Sequence, residues 1–271
     1  NLVNSSGVVA ADVTGVGTAR MTIAATSYGG DKAIFGYGDS GSATNLSNLV
    51  SSSGVIASDT TGVGTARYAP AAASYDGDKG IFGYGDTGGD SYVSLTNLVN
   101  NSGVIATDTT GVGTARRYLA ATGYGSSGQA VFAYGSTGSR LSMKNLVSNS
   151  GVVASDATGV GSARNNLAAV KYGTDKAIFG YGSTGSITGV TNLVSNVGVI
   201  ASDVSGVGTA RQYLAAASYG GDKALFGYGN TAGGAVSMTN LVNNSGVVGS
   251  DVTGVGSVRE TLGAAGYSIS A

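Results

Sequence analysis

Short apolar runs alternate with small polar turns along the chain, and none of these runs has the 3.6-residue spacing of an amphipathic helix. In one representative stretch, apolar and small residues occupy 214–219, 223–229, 237–242 and 247–251. Gly, Asn, Asp and Ser separate these runs, as is typical of turns between β-strands. The pattern therefore predicts an all-β protein built from short strands.

This four-strand pattern recurs along the whole sequence. The tripeptide Asn-Leu-Val opens each repeat, and an Arg recurs at a nearly constant distance after it. The repeats start near Asn1, Asn48, Asn97, Asn145, Asn192 and Asn240. Four short strands in a unit of about 48 residues are typical of a β-propeller blade. We predict a single β-propeller domain over residues 1–271, with six blades and an incomplete last repeat.

The residues within one repeat resemble a kelch repeat. The resemblance lies in Arg164, in the small-residue run 167–169, in the apolar run 177–182 and in 192–194. Tyr181 separates two glycines that are adjacent in most kelch repeats, and the outer-strand Trp is missing, so the likeness is at the superfamily level. The repeats are more similar to Gly-rich, kelch-like repeats of tailed-bacteriophage virion proteins. This resemblance implies a six-bladed kelch-like propeller located in a virion or outside the cell.

The two ends of the chain are predicted to share the closing blade. The sequence begins at a third strand, 1–3, and its last Arg is followed by a first strand, 262–267. The Ser-Ile-Ser-Ala segment at 268–271 does not match the second-strand pattern Asp-Lys-Ala-Ile-Phe-Gly-Tyr-Gly. The closing blade thus has three strands, has lost one by trimming, or receives one from another chain. The third case would form a homo-oligomer through the incomplete blade.

Composition excludes several classes of function. The sequence has no His and no Cys, which removes Ser-His-Asp and Cys-His nucleophiles and thiolate or imidazole metal sites. A net charge of −1 gives no electrostatic basis for binding nucleic acid, and no apolar run reaches the ~18 residues of a membrane-spanning helix. The carboxylates Asp76, Asp78, Asp86 and Asp90 lack a calcium-loop spacing. We predict a non-enzyme without catalytic residues, metal, cofactor, nucleic-acid partner or membrane insertion.

Two sets of residues near the starts of the first strands are candidates for ligand binding. One set is the repeated Arg, since six guanidinium groups around one axis could bind carboxylate or phosphate. The alternative is that each Arg pairs with the Asp eight residues before it and has a structural role. The other set is the Tyr residues one or two positions after an Arg. The candidates are Arg20, Arg67, Arg116, Arg164, Arg211, Arg259, Tyr68, Tyr118 and Tyr213.

These features predict a structural or recognition module. The resemblance implies a component of a phage particle that binds a host-surface glycan or protein through its blade loops. One alternative is a purely structural decoration or scaffold subunit that packs against other virion or filament proteins. Another alternative is a bacterial lectin-like propeller.

Overall fold

A computed structural model of the protein describes residues 1–267; the Ser-Ile-Ser-Ala segment at 268–271 lies outside this range. Strands, isolated bridges, turns and bends make up the regular structure of the described residues, and they include no helix. The all-β prediction is confirmed for this part of the chain. It accordingly contains no helix with the length and apolar character needed to cross a membrane.

Five antiparallel sheets of three strands each contain most of the regular structure. The first sheet consists of β1 (Ala24–Tyr28), β2 (Lys32–Gly36) and β3 (Ser47–Val50), and the second of β4 (Ala71–Tyr75), β5 (Lys79–Asp86) and β6 (Tyr92–Val99). The third and fourth sheets consist of β7 (Ala120–Tyr124), β8 (Gln129–Ala133), β9 (Lys144–Val147), β10 (Ala168–Tyr172), β11 (Lys176–Gly180) and β12 (Thr191–Val194). A small hairpin of β15 (Asn230–Thr231) and β16 (Gly234–Ala235) interrupts the fifth sheet, which consists of β13 (Ala215–Tyr219), β14 (Lys223–Gly227) and β17 (Thr239–Val242).

The fourth segment of each repeat, predicted as a strand, forms only isolated bridges. In the fourth sheet, for example, Thr191 bridges Val204 and Val194 bridges Ile200. Between these bridges the side-chain amide of Asn192 donates to the carbonyl of Ala201 at 2.9 Å. This side chain occupies the place of a backbone ladder bond, so a continuous fourth strand does not form.

Neighbouring sheets pack through buried aromatic pairs. The Phe rings of β5, β8, β11 and β14 each lie against the Tyr of the preceding sheet's Gly-Tyr-Gly or Ala-Tyr-Gly segment, with centroids 5.1–5.3 Å apart. The pairs are Tyr37–Phe82, Tyr84–Phe132, Tyr134–Phe179 and Tyr181–Phe226, and all eight rings are fully buried. The Ala-rich first strands of successive sheets also contact one another. Burial of these rings is the main source of cohesion between the sheets.

A cycle of backbone hydrogen bonds links the residues that follow each repeated Arg by two positions. The N–H of each residue donates to the carbonyl of the equivalent residue in a neighbouring repeat, at 2.8–3.2 Å. In order of donation the cycle runs Thr22, Thr261, Tyr213, Asn166, Tyr118, Ala69 and back to Thr22. All six residues are left-handed, with φ between 50° and 57°. The bond from Thr22 to Thr261 joins the first repeat to the last.

Candidate functional site

The repeated Arg side chains lie mostly inside the protein. Arg67, Arg116, Arg164 and Arg211 are completely buried, and each lies over a Tyr ring of the preceding sheet. Arg164, for example, is 4.5 Å from the ring centre of Tyr134 and donates to Asn192 at 2.5 Å. At the chain ends, the Arg20 side chain is 3% exposed and that of Arg259 is 36% exposed. The four buried guanidinium groups can therefore meet a ligand only if the sheets separate.

The Asp partners of these Arg residues lie in the following repeat. Arg164 pairs with Asp203 at 3.6 Å and Arg211 with Asp251 at 3.8 Å, so the predicted pairing with the Asp eight residues earlier is wrong. That earlier Asp is engaged elsewhere: Asp156 accepts hydrogen bonds from the backbone and hydroxyl of Thr114 in the preceding repeat. Each Asp thus connects its own repeat to the one before it.

The hydrogen-bonded cycle forms the rim of a small central depression of about 80 Å³. The six cycle residues and the residue after each of them line it. Thr22, Ala69 and Thr261 give one side of the rim short side chains, whereas Tyr118, Asn166 and Tyr213 give the other side large ones. The repeats differ at this rim, so it can contribute to specific recognition.

An aromatic pair occupies the large side of the central depression. The half-buried rings of Tyr118 and Tyr213 are nearly perpendicular, with centroids 6.0 Å apart. Asn166 lies between Tyr213 and Tyr118 in the cycle, and its side-chain amide nitrogen donates to Gln212 at 3.3 Å. The Oδ1 atom of Asn166 is buried and accepts no hydrogen bond from the described residues. The site therefore combines two apolar ring surfaces with an unused polar acceptor.

A polar network continues from Tyr118. The guanidinium of Arg117 lies 5.1 Å from the Tyr118 ring centre and 5.2 Å from that of Tyr92. The same group donates to the buried carboxylate of Asp86 at 2.7 Å and pairs with Asp90 at 2.8 Å.

The hydroxyl of Tyr68 also donates to Asp86, at 3.0 Å. Thus all three candidate Tyr residues belong to one continuous surface, the rim cluster, which consists of Tyr68, Asp86, Asp90, Tyr92, Arg117, Tyr118, Asn166 and Tyr213.

The hydroxyls of Tyr68 and Tyr118 keep their protons at neutral pH and can donate hydrogen bonds. Burial raises the pKa of Tyr118, and burial together with the hydrogen bond to Asp86 raises the pKa of Tyr68. At their formal charges, Arg117, Asp86 and Asp90 together carry one net negative charge. This balance disfavours an anionic ligand and suits a neutral molecule that both donates and accepts hydrogen bonds.

Arg117 and Tyr92 are not among the residues that the sequence pattern singled out. The available signal was the doubled Arg at 116–117, which no other repeat has, together with the extra carboxylates of 86–90. A comparison of the repeats emphasises Arg116, which all of them share. It therefore hides the variable neighbour, Arg117.

The described residues contain no group of three or more Asp and Glu side chains that could hold a metal ion. Asp76 forms an ion pair with Lys79, and Asp86 and Asp90 pair with Arg117. The chain matches no protein-family model and no curated protein. The chemistry of the site is therefore inferred from its geometry.

Proposed function

We propose that the chain is a six-bladed, kelch-like propeller that recognises a neutral glycan through the rim cluster. The hydrogen-bonded cycle of six equivalent residues supports the six-fold arrangement. Two further contacts between the ends of the sequence support a shared closing blade: Ser257 donates to Asp12 at 2.7 Å, and Ser27 donates to the carbonyl of Gly266 at 2.7 Å.

The observation that carries the glycan proposal is the Tyr118–Tyr213 pair beside an Arg–Asp network. The ring faces can pack against the C–H face of a sugar, and the Tyr hydroxyls supply polar contacts at their edge. Arg117 and the exposed carboxylate of Asp90, which are 2.8 Å apart, offer donors and acceptors side by side, as vicinal sugar hydroxyls require. The net negative charge of the cluster favours neutral sugars over sulfated or sialylated ones.

Catalysis is not part of this proposal. The cluster contains carboxylates but no His or Cys, and Asp86 is held by Arg117 and by Tyr68. Asp86 is also completely buried, so its carboxylate is not placed to act as a general base on a bound glycan. The resemblance of the repeats to phage virion proteins supports a host-cell surface as the source of the glycan.

The test is binding of the 271-residue chain to an array of neutral and acidic glycans, followed by calorimetric titration with the best neutral oligosaccharide. We expect Y118A and Y213A each to weaken binding roughly tenfold or more, because each removes one stacking face. Y213F keeps the ring and should retain most of the affinity.

Lys176 is an exposed residue at the turn between β10 and β11. K176A is therefore the control and should bind like the wild type. Absence of binding to every glycan would favour the purely structural subunit. Binding that Y118A and Y213A leave unchanged would place the site elsewhere.

A further inference from the structure

A cavity of about 260 Å³ lies at the far end of the first strands from the central depression. Residues that precede the first strands, such as Asn166 and Leu167, line the central depression. The second cavity is lined instead by residues at the ends of β4, β7 and β10 and by the turn at 125–128. Because a strand rises about 3.3 Å per residue, the five residues of β10 separate the two places by roughly 16 Å. We call the second one the lysine cavity, after Lys171.

Lys171 brings a charge to a position that is small and uncharged in the other repeats. Ala168, Val170 and Tyr172 of β10 pack into the hydrophobic core, so Lys171 points to the opposite face of the strand. There it lines the lysine cavity together with Ser74 of β4. By repeat position its equivalents are Ser27, Ser74, Gly123, Ser218 and Gly266.

The turn that lines the same cavity also departs from the repeat. Four residues, 125–128, connect β7 to β8, whereas three residues connect the first two strands of each other sheet. In those sheets an Asp ends the turn and a Lys follows it, and here Gly128 and Gln129 take these places. This wall of the cavity therefore carries no charge and presents the side chains of Ser126, Ser127 and Gln129.

The lysine cavity has a positive charge without a counter-charge among residues 1–267. Asp76 is the one carboxylate in its lining there, and it forms an ion pair with Lys79. No Asp or Glu of the described chain forms an ion pair with Lys171, which is half-buried. Burial lowers the pKa of Lys171, and the nearby carboxylate of Asp175 opposes this shift. A bound anion would offset the cost of burying the ammonium group.

We propose that the lysine cavity binds a small carboxylate that also carries hydroxyl groups. Lys171 binds the carboxylate through its ammonium group, and the side chains of Ser126, Ser127 and Gln129 exchange hydrogen bonds with the hydroxyl groups. One ammonium group with Asp76 in the same lining matches a singly charged carboxylate better than a doubly charged phosphate. The proposal does not depend on glycan binding at the rim cluster.

Calorimetric titration of the 271-residue chain with glycerate, gluconate and glucuronate tests the proposal. We expect at least one of them to bind more tightly than glucose, which lacks the charge, and than inorganic phosphate. The bound carboxylate should slow chemical acetylation of Lys171, followed by mass spectrometry, and leave that of Lys176 unchanged. Absence of binding by all three carboxylates, or phosphate binding as tight as the best of them, would overturn the proposal.

K171S removes the charge and keeps a residue that the repeat accepts, because Ser occupies the equivalent positions 27, 74 and 218. It should weaken binding of the best carboxylate roughly tenfold, since a charge-assisted hydrogen bond is lost. K176A removes an exposed charge from the same hairpin and should bind like the wild type. Equal affinity of K171S and wild type would contradict the proposal.

S127D tests the cavity from the turn. Ser127 is exposed, so a substitution there should not disturb folding. The new carboxylate would give Lys171 a counter-charge and repel the ligand, and we expect binding to be at least roughly tenfold weaker. S127N has a similar size without the charge and should bind within about twofold of the wild type. Equal affinities of S127D and S127N would show that the cavity does not select an anion.

Discussion

At the scale of single residues, burial decides what the repeated Arg can do. Arg211 is completely buried over Tyr181 and donates to Asn240 at 2.5 Å and to the carbonyl of Thr209 at 3.2 Å. Lysine keeps the charge but cannot reproduce the planar set of donors or the stacking. We expect R211K to lower the free energy of unfolding by about 2–3 kcal/mol, because buried groups lose charge-assisted hydrogen bonds.

R259K is the matched control for R211K. Arg259 occupies the same repeat position, but its side chain is 36% exposed, so we expect a loss below about 1 kcal/mol. Urea denaturation of both variants measures the difference. Equal losses would show that burial does not determine the contribution of these residues.

The pairing of Arg with Asp shows why residue contacts were harder to predict than the repeat. Equal numbers and constant spacing of Arg and Asp correctly indicated that the two residue types are coupled. The spacing could not indicate which Asp is the partner, because the answer depends on how one repeat packs on the next. Arg164 contacts Asp203 and Asn192, both in the next repeat. The local sequence contains no signal for such contacts.

At the scale of strands and sheets, the second strand holds neighbouring sheets together. Phe179 is completely buried against Tyr134, with ring centroids 5.3 Å apart, whereas the equivalent Phe35 is half-buried and lines a cavity of about 630 Å³. We expect F179A to cost about 3–5 kcal/mol of stability because it leaves a cavity between two sheets. F35A should cost clearly less, because its ring already borders open space.

Thermal or urea unfolding of F179A and F35A compares the two positions directly, with K176A as a surface control. A loss for F35A as large as that for F179A would mean that Phe35 is covered in solution.

The strand pattern was predictable wherever apolar runs and turns decide the structure. The runs at 214–219, 223–229 and 237–242 correspond to β13, β14 and β17, although each strand is shorter than its run. Tyr228, directly after the end of β14, adopts a left-handed conformation with φ of 62°. The predicted fourth strand at 247–251 is reduced to bridges because the side chain of Asn240 donates to the carbonyl of Gly249. The apolar pattern does not encode a side chain that replaces a backbone partner.

At the scale of the whole molecule, six carboxylates connect the repeats in sequence and across the chain ends. Asp59, Asp108, Asp156, Asp203 and Asp251 each accept from a Thr or Ser backbone N–H and hydroxyl in the preceding repeat. Asp12 makes the same contacts with Ser257, which lies in the last repeat. Because every repeat depends on its neighbour, weakening one connection is expected to affect the cooperativity of the whole chain.

This arrangement predicts a loss of stability in acid. Hydrogen bonds from the Ser257 hydroxyl and backbone hold the pKa of Asp12 well below its usual range, and those from Thr18 and Asn48 lower the pKa of Asp59. A carboxylate whose pKa is lower in the folded state stabilises that state above the unfolded pKa, near pH 4, and loses this contribution as the pH falls through the folded value. We therefore expect the free energy of unfolding to be nearly constant from pH 7 to about pH 5 and to decrease steadily below about pH 4.

D12N separates the contribution of the chain ends from that of the other repeats. The amide cannot ionise and is a poorer acceptor for Ser257, so D12N should be less stable than the wild type at pH 7 and should lose less additional stability on acidification. Asp31, whose carboxylate pairs with the adjacent Lys32, provides the control, and D31N should follow the wild-type pH profile. Urea denaturation at several pH values between 2 and 7 measures all three proteins. Parallel pH profiles for D12N and wild type would show that the Asp12–Ser257 contact does not hold the two ends together.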